Sequence, residues 1–203
     1  MESLYADLHI HTVYSSDSLI QPKTLVDQLE AHSFIKAAAV TDHDSVRGFR
    51  ATVELASAYP DILIIPGVEI TTPSGDMLVL GTEELPPRPW MPEAVVDYAK
   101  SIGGVSIVAH PYREYGMGDL ARNYKVDAIE VLNGGSTSAA NNEAKELAKS
   151  MGLPGTAGSD AHRLSELFSV CSKIDASLGV DSVLRAIKKG SISTQAARGS
   201  IHF

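Results

Sequence analysis

The sequence predicts an α/β domain whose strands close into a barrel. Short apolar runs of strand length alternate with longer helical stretches along the 203 residues, which is typical of a mostly parallel sheet. Side chains that can bind metals follow five of these runs. The carboxyl ends of parallel strands share one face. A barrel gathers such side chains in a ring, whereas an open doubly wound sheet would divide them at a switch point, so the barrel is favoured.

Seven strands are predicted in chain order. They cover residues 4–9, 37–41, 62–65, 77–80, 105–109, 127–132 and 155–158. Pro66-Gly67 is expected to end the third strand, because proline cannot donate to a sheet ladder. Pro73-Ser74-Gly75 has turn residues and is expected to link the third and fourth strands as a hairpin.

Five helices are predicted between and after these strands. They cover residues 22–32, 45–59, 92–102, 139–151 and 180–189. Pro22 suits the first turn of a helix, where its missing N–H is not needed. Gly152 and Gly190 follow the last two helical stretches, and glycine commonly ends a helix in a left-handed conformation.

The composition limits the classes of function. The formal net charge is −8 and the pI about 5.3, which disfavours a nucleic-acid polymer as partner. No charged leader precedes an apolar segment, and no apolar run approaches the roughly 20 residues of a membrane span. Cys171 is the sole cysteine, so no internal disulfide forms and a cytoplasmic location is expected. No linker divides the chain, so residues 1–203 are expected to form one domain.

Histidine and carboxylate residues are concentrated after the predicted strands. His9 and His11 flank a single residue, so on a strand they point the same way and form a ready pair of metal ligands. The other candidates are Asp17, Asp42-His43-Asp44, Glu69, His110 and Asp160-Ala161-His162. A lone histidine at a strand end is more often a structural hydrogen-bonding group. Five such groups on one face would be costly to bury without a cation, so the set predicts a metal centre.

These motifs resemble those of the PHP (polymerase and histidinol phosphatase) family. The resemblance rests on Asp-Leu-His-Ile-His-Thr with Tyr-Ser-Ser-Asp, then Thr-Asp-His-Asp, Gly-Val-Glu, Ala-His-Pro and Ser-Asp-Ala-His, in order between residues 7 and 163. It implies a distorted (β/α)7 TIM-like barrel with two or three divalent metal ions at the carboxyl ends of the strands. It also implies a metal-dependent phosphoric ester hydrolase.

The resemblance also implies a ligand set. His9, His11, Glu69 and Asp160 would hold the first metal. Glu69 would bridge to a second metal that is also held by His110. Asp17, His43 and His162 would hold the third. A further histidine that many relatives place on the second metal has no clear counterpart, and Glu130 and Asn133 are the nearest candidates.

The chemistry of the residues agrees with this resemblance. Mixed nitrogen and oxygen ligands suit Zn, Mn or Fe, and clustered metals suit hydrolysis of a phosphate ester. The expected substrate is a small phosphomonoester or a nucleotide. The alternatives are an exonuclease acting on nucleic acid ends and a metal-binding regulatory domain without catalysis.

Further roles are predicted around the metals. His43, His110 and Asp160 are the candidate catalytic residues, and either histidine could serve as a general acid if it binds no metal. Arg113 and Arg163 could bind phosphate oxygens or be solvated charges at the rim. Asp7 and Asp42 could orient imidazoles from behind or make ordinary hydrogen bonds at strand ends.

Overall fold

The computed structural model describes residues 3–197, and nine strands and five α-helices lie within that range. The strands are β1 (Leu4–Ile10), β2 (Ile35–Val40), β3 (Leu63–Thr72), β4 (Gly75–Leu80), β5 (Val105–Val108), β6 (Ala128–Asn133), β7 (Gly155–Gly158), β8 (Val170–Ile174) and β9 (Ile192–Ala196). The helices are α1 (Pro22–Ala31), α2 (Arg47–Ala56), α3 (Pro92–Ser101), α4 (Ser138–Met151) and α5 (Val180–Lys188). Two 3₁₀ turns lie at Gly118–Asn123 and Leu164–Glu166. Of the domain expected over residues 1–203, residues 1–2 and 198–203 lie outside the described part.

The strands form one sheet that curls into a nearly closed barrel, as predicted. Its order is β7-β6-β5-β4-β3-β2-β1-β8-β9. The barrel closes where the segment after β7 meets the end of β1. There the Asp160 N–H donates to the His9 carbonyl at 2.8 Å, and the His11 N–H donates to the Ala161 carbonyl at 3.1 Å. This closure brings the last predicted ligands next to the first.

The sheet is less parallel than predicted. β1, β2 and β3 run parallel, as do β5, β6 and β7. However, β4 is antiparallel to both of its neighbours, and β8 and β9 extend the sheet from β1 by antiparallel pairing. The predicted hairpin between β3 and β4 is confirmed. The sequence reading missed β8 and β9, whose pairing partners are set by the barrel.

β3 does not end at Pro66-Gly67 as predicted. Up to Pro66 it pairs in parallel with β2, and from Gly67 to Thr72 it pairs antiparallel with β4. The two residues therefore mark a change of partner along one continuous strand. The Pro66 carbonyl accepts from the Gly81 N–H at 2.7 Å, so the missing N–H of proline does not interrupt the sheet. As a result, Glu69 lies within a strand, not after one.

One end of the barrel is closed by α5. Its buried Val183, Leu184 and Ile187 belong to the same apolar cluster as Leu80 and Val105, which lie at the end of β4 and the start of β5. This apolar plug fills the end that lies opposite the predicted metal ligands.

The helix ends follow local rules. Pro22 occupies the first turn of α1, and the Thr137 side chain caps α4 by accepting from the Ala140 N–H. Gly152 ends α4 with φ at 67°, a left-handed value that glycine adopts without strain. Within residues 3–197, none of the helices combines the length and the apolar character that a bilayer crossing requires.

Candidate metal centre

All eight predicted metal ligands meet at the carboxyl-terminal end of the barrel. β1 and the loop after it carry three of them, β3 carries one within its length, and the others follow β2, β5 and β7. In chain order the set is His9, His11, Asp17, His43, Glu69, His110, Asp160 and His162.

The first group consists of His9, His11, Glu69 and Asp160. The Nε2 atoms of the two histidines lie 3.0 Å apart, and each lies 3.2 Å from Glu69 Oε2. Asp160 Oδ1 lies 3.1 Å from His11 Nε2 and 3.5 Å from His9 Nε2. A tetrahedron with metal–ligand bonds of about 2.05 Å spaces its ligand atoms by about 3.3 Å. The spacing of these atoms therefore fits one tetrahedral cation.

A further group lies nearer to solvent and consists of Asp17, His43 and His162. Asp17 Oδ2 lies 3.6 Å from His43 Nε2 and 3.3 Å from His162 Nε2. The other ring nitrogen of His43 lies 3.1 Å from Glu69 Oε2, so this group borders the first. Its residues are those the resemblance assigns to the third metal.

The remaining group contains a ligand that the sequence reading missed. His110 Nε2 lies 3.0 Å from Glu69 Oε1, and Asp76 offers a carboxylate oxygen within 4.8 Å of both ligand atoms. The Asp76 side chain is buried, and its Oδ1 has no hydrogen-bond partner within residues 3–197. An unpartnered buried carboxylate oxygen is costly, which fits a cation there. The available signal was a lone aspartate at the start of an apolar strand.

Glu130 and Asn133 lie behind the ligands instead of joining the second group. Glu130 Oε1 lies 3.1 Å from His9 Nδ1, and its Oε2 accepts from the His110 backbone N–H at 2.8 Å. The Asn133 amide donates to Glu130 Oε2 at 3.0 Å, and its oxygen accepts from Arg113. Asp76 is thus better placed than either of them to complete the second group.

Hydrogen bonds fix which nitrogen of several histidines faces the centre. The Ser15 hydroxyl donates to Asp42 Oδ1 at 3.0 Å, so it accepts from His11 Nδ1–H, 3.1 Å away. His162 Nδ1–H donates to the Asp160 carbonyl at 2.9 Å. Both histidines therefore keep Nε2 free of hydrogen for a metal. Asp42 contributes to this arrangement through Ser15.

Asp7 supports the backbone instead of an imidazole. Its carboxylate accepts from the backbone N–H groups of Ser159 at 2.8 Å, His9 at 3.3 Å and Phe168 at 3.3 Å. Burial raises the pKa of Asp7 to about 7, against these hydrogen bonds. Asp7 therefore holds together the two segments where the barrel closes.

The electrostatics of the first group indicate a missing positive charge. Burial by itself would lower the pKa of His11, but hydrogen bonds with Asp160 and Glu69 outweigh it and raise that pKa to about 9. Burial would raise the pKa of Glu69, yet the surrounding histidines, His9 first, hold it well below its ordinary value. The buried carboxylates thus require cations nearby, which protons on histidine or divalent metals can supply.

The two predicted phosphate-binding arginines border a cavity of about 450 Å³ beside this centre. Arg113 donates from Nη1 to Asp160 Oδ2 and to Asn133 Oδ1, so it contacts a predicted ligand directly. Arg163 is 70% exposed and lies 3.5 Å from Glu166. A larger cavity of about 740 Å³ lies around Tyr5 and Lys36, at the opposite end of the barrel, and holds none of the predicted ligands.

Comparisons with known proteins agree with the fold and the ligand set. A protein from Methanocaldococcus jannaschii, uncharacterized protein MJ1587, is 31% identical over 140 residues, which are 63% of this chain and 81% of that protein. PsfC from Pseudomonas syringae is 20% identical with a TM-score of 0.67, and the match covers 98% of this chain and 93% of PsfC.

Two other solved structures have the same fold. A protein from Bifidobacterium adolescentis described as a metal-dependent phosphoesterase is 17% identical with a TM-score of 0.62, and the match covers 77% of this chain and 87% of that one. An amidohydrolase from Chromobacterium violaceum, solved with bound sulfate and no metal, is 19% identical with a TM-score of 0.65, covering 78% and 87%.

Family membership follows from two matches along the chain. The PHP-associated family matches residues 138–192, from α4 to the start of β9. The PHP domain family matches residues 7–115, which is more than half of the chain and includes six of the eight predicted ligands. Together with the clustered ligands, these matches support a metal-dependent hydrolase. The chain belongs to the PHP domain family.

Proposed function

We propose that this protein is a phosphoesterase that hydrolyses a small phosphomonoester or a nucleotide at a centre of three divalent metal ions. The observation that carries the proposal is the position of Glu69. Its Oε2 faces His9, His11 and His43, and its Oε1 faces His110. One carboxylate therefore touches all three groups of ligands, as a bridging residue must.

The ligand set suits Zn, Mn or Fe, because it mixes imidazole nitrogens with carboxylate oxygens. Such ions would supply an activated water and offset the negative charge of a phosphoryl group. Three divalent ions carry six positive charges against four carboxylates (Asp17, Glu69, Asp76 and Asp160), so the loaded centre has a surplus of about two positive charges. An acidic protein can thus attract a phosphate dianion locally.

The protein's own residues position these groups. Glu130 and Ser15 hold the rings of His9 and His11 by their Nδ1 atoms, and Arg113 holds Asp160. Arg113 and Arg163 lie on the side from which a phosphate would enter, where a guanidinium can make two parallel bonds to its oxygens. His43 and His110 both contact Glu69, so we assign them to metal binding, not to general acid catalysis.

The experiment is a hydrolysis assay on a panel of phosphoesters with protein reconstituted separately with Zn, Mn and Fe. We expect turnover with at least one metal, and loss of turnover in His43→Ala and Asp160→Ala. Lys23→Ala is a matched control, because Lys23 is exposed and pairs only with Asp27 in the neighbouring turn.

Chelation gives a second measurement that does not depend on finding the substrate. Ions that bind only the folded chain stabilise it by about 2.7 kcal/mol at a hundredfold excess over the dissociation constant, so a chelator should lower the Tm. An unchanged Tm would reject the metal centre. A lowered Tm with no hydrolysis of any phosphoester would reject the phosphoesterase and retain the metal centre.

A further inference from the structure

We propose that the substrate carries a second anionic group, a carboxylate or another phosphate, which binds between Arg113 and Arg163. This inference rests on the proposed phosphoesterase function and narrows its substrate class. The two arginines line the cavity of about 450 Å³ beside the centre, which we call the arginine cavity. Because Asp160 and His162 also line it, a substrate whose phosphate lies at the metals reaches directly into it.

The lining of the arginine cavity is polar and small. Besides the two arginines and two predicted ligands, it consists of serines, glycines and Glu166. Its lining includes no aromatic or aliphatic side chain. A nucleobase is usually held by stacking on an aromatic ring or by apolar contact. The cavity therefore suits a compact polar group better than a nucleoside.

Both carboxylates of the cavity already have partners. Glu166 Oε2 accepts from the backbone N–H groups of His162 at 2.8 Å and Arg163 at 3.0 Å. Asp160 is contacted by His11 and Arg113. These carboxylates therefore do not exhaust the hydrogen-bonding capacity of the two arginines.

The arginines, by contrast, have donors to spare. A guanidinium has five N–H donors. Arg113 uses only Nη1 in the hydrogen bonds found within residues 3–197, and Arg163 has only the 3.5 Å ion pair with Glu166 in the same range. A surplus of cationic donors next to a phosphate-binding centre is complementary to a second anion.

The glycines of the cavity make room for Arg113 and do not themselves bind an anion. An alanine Cβ at Gly135 would lie 2.8 Å from Arg113 Nη1 and 3.3 Å from its Cζ, so only glycine admits the guanidinium there. The N–H of Gly135 donates to Asn133 Oδ1, and the N–H of Gly134 donates to the Gly158 carbonyl. The side chains of the two arginines are thus the anion donors of this cavity.

The test compares pairs of substrates that differ in one anionic group. For a carboxylate the pair is 3-phosphoglycerate and glycerol 3-phosphate, and for a phosphate it is fructose 1,6-bisphosphate and fructose 6-phosphate. AMP serves as the nucleotide. A charged hydrogen-bonded contact is worth a factor of about ten, so we expect kcat/KM to favour at least one doubly anionic substrate by about tenfold over both its partner and AMP.

Arg163→Gln should reduce that ratio toward one, mainly through KM, and Arg163→Lys should restore part of it. Arg122→Gln is the control, since Arg122 is a surface arginine paired with Asp119, and its ratio should equal that of the wild type. Equal kcat/KM for both members of both pairs, or a preference for AMP, would overturn the inference and leave the phosphoesterase standing. A preference that survives in Arg163→Gln would also overturn it. Hydrolysis of none of the five compounds nor of a broader panel would count against the proposed function itself.

Discussion

Gly158→Ala tests whether β1 and β7 meet as closely as the structure shows. Gly158 is the last residue of β7 and faces His9 of β1. An alanine Cβ there would lie 2.7 Å from the His9 backbone nitrogen and 2.8 Å from Glu130 Oε1, and closer still to the His9 Cβ. Ordinary contacts of a Cβ lie at 3.4–4 Å, so β1 and β7 would have to separate by about 0.6 Å or more.

The expected cost follows from the groups that must move. His9 is held through its backbone and Glu130 is buried, so neither can swing away as the tip of a flexible side chain could. Overpacking of this kind typically costs about 1–3 kcal/mol. Because the displaced residue is a predicted ligand whose nitrogen must stay within about 0.5 Å of its position, metal content should fall together with stability.

The assay is urea unfolding of the reconstituted protein combined with metal analysis by mass spectrometry. Gly179→Ala is the matched control, since a Cβ at Gly179 meets no heavy atom within 4 Å and its φ of −176° is extended. As a helix N-cap it should lose less than about 1 kcal/mol and retain all metal. If Gly158→Ala kept full metal content and matched the control in stability, the close approach of β1 and β7 would be wrong.

Two further predictions concern other residues. Asp76→Asn should remove one metal ion per chain in equilibrium dialysis, whereas Asp127→Asn, at the opposite end of the barrel, should remove none; equal metal content in the two variants would exclude Asp76 as a ligand. His32 Nδ1 accepts from the backbone N–H groups of Ile35 at 2.9 Å and Phe34 at 3.4 Å, and burial, followed by Lys36, lowers the pKa of His32. Protonation therefore favours the unfolded chain, so this stabilisation is complete above pH 6.5 and declines below it by at most about 1.4 kcal/mol per pH unit. His32→Asn should flatten that decline in urea titrations between pH 5 and 7, and an identical pH dependence in the variant would refute the reasoning.

Most of the ligand set could be predicted because its signals are local. A histidine pair with one intervening residue needs only the alternation of a strand to converge, and it does so at 3.0 Å. The same holds for His110 and Asp160, which directly follow β5 and β7. In each case the residue type and its position after an apolar run were sufficient, since parallel strands end on one face.

Asp76 escaped the same reasoning because the direction of β4 is not written in its residues. The search considered residues that follow strands, which is correct for parallel strands only. β4 runs antiparallel to β3 and β5, so its first residues, not its last, lie at the metal end. The pairing of a strand depends on its neighbours in space, and a short apolar run looks the same in either direction.

The sequence alone determined the order of the elements, the residues that can bind metal and the general chemistry of the centre. These depend on residue type and on the spacing of neighbours along the chain. Only the tertiary structure decided that β3 continues through Pro66-Gly67, that Glu130 orients His9 instead of binding metal, and that Arg113 holds Asp160. Each of those outcomes depends on contacts between segments 20 or more residues apart, whose distances are set by closure of the barrel and not by any local pattern.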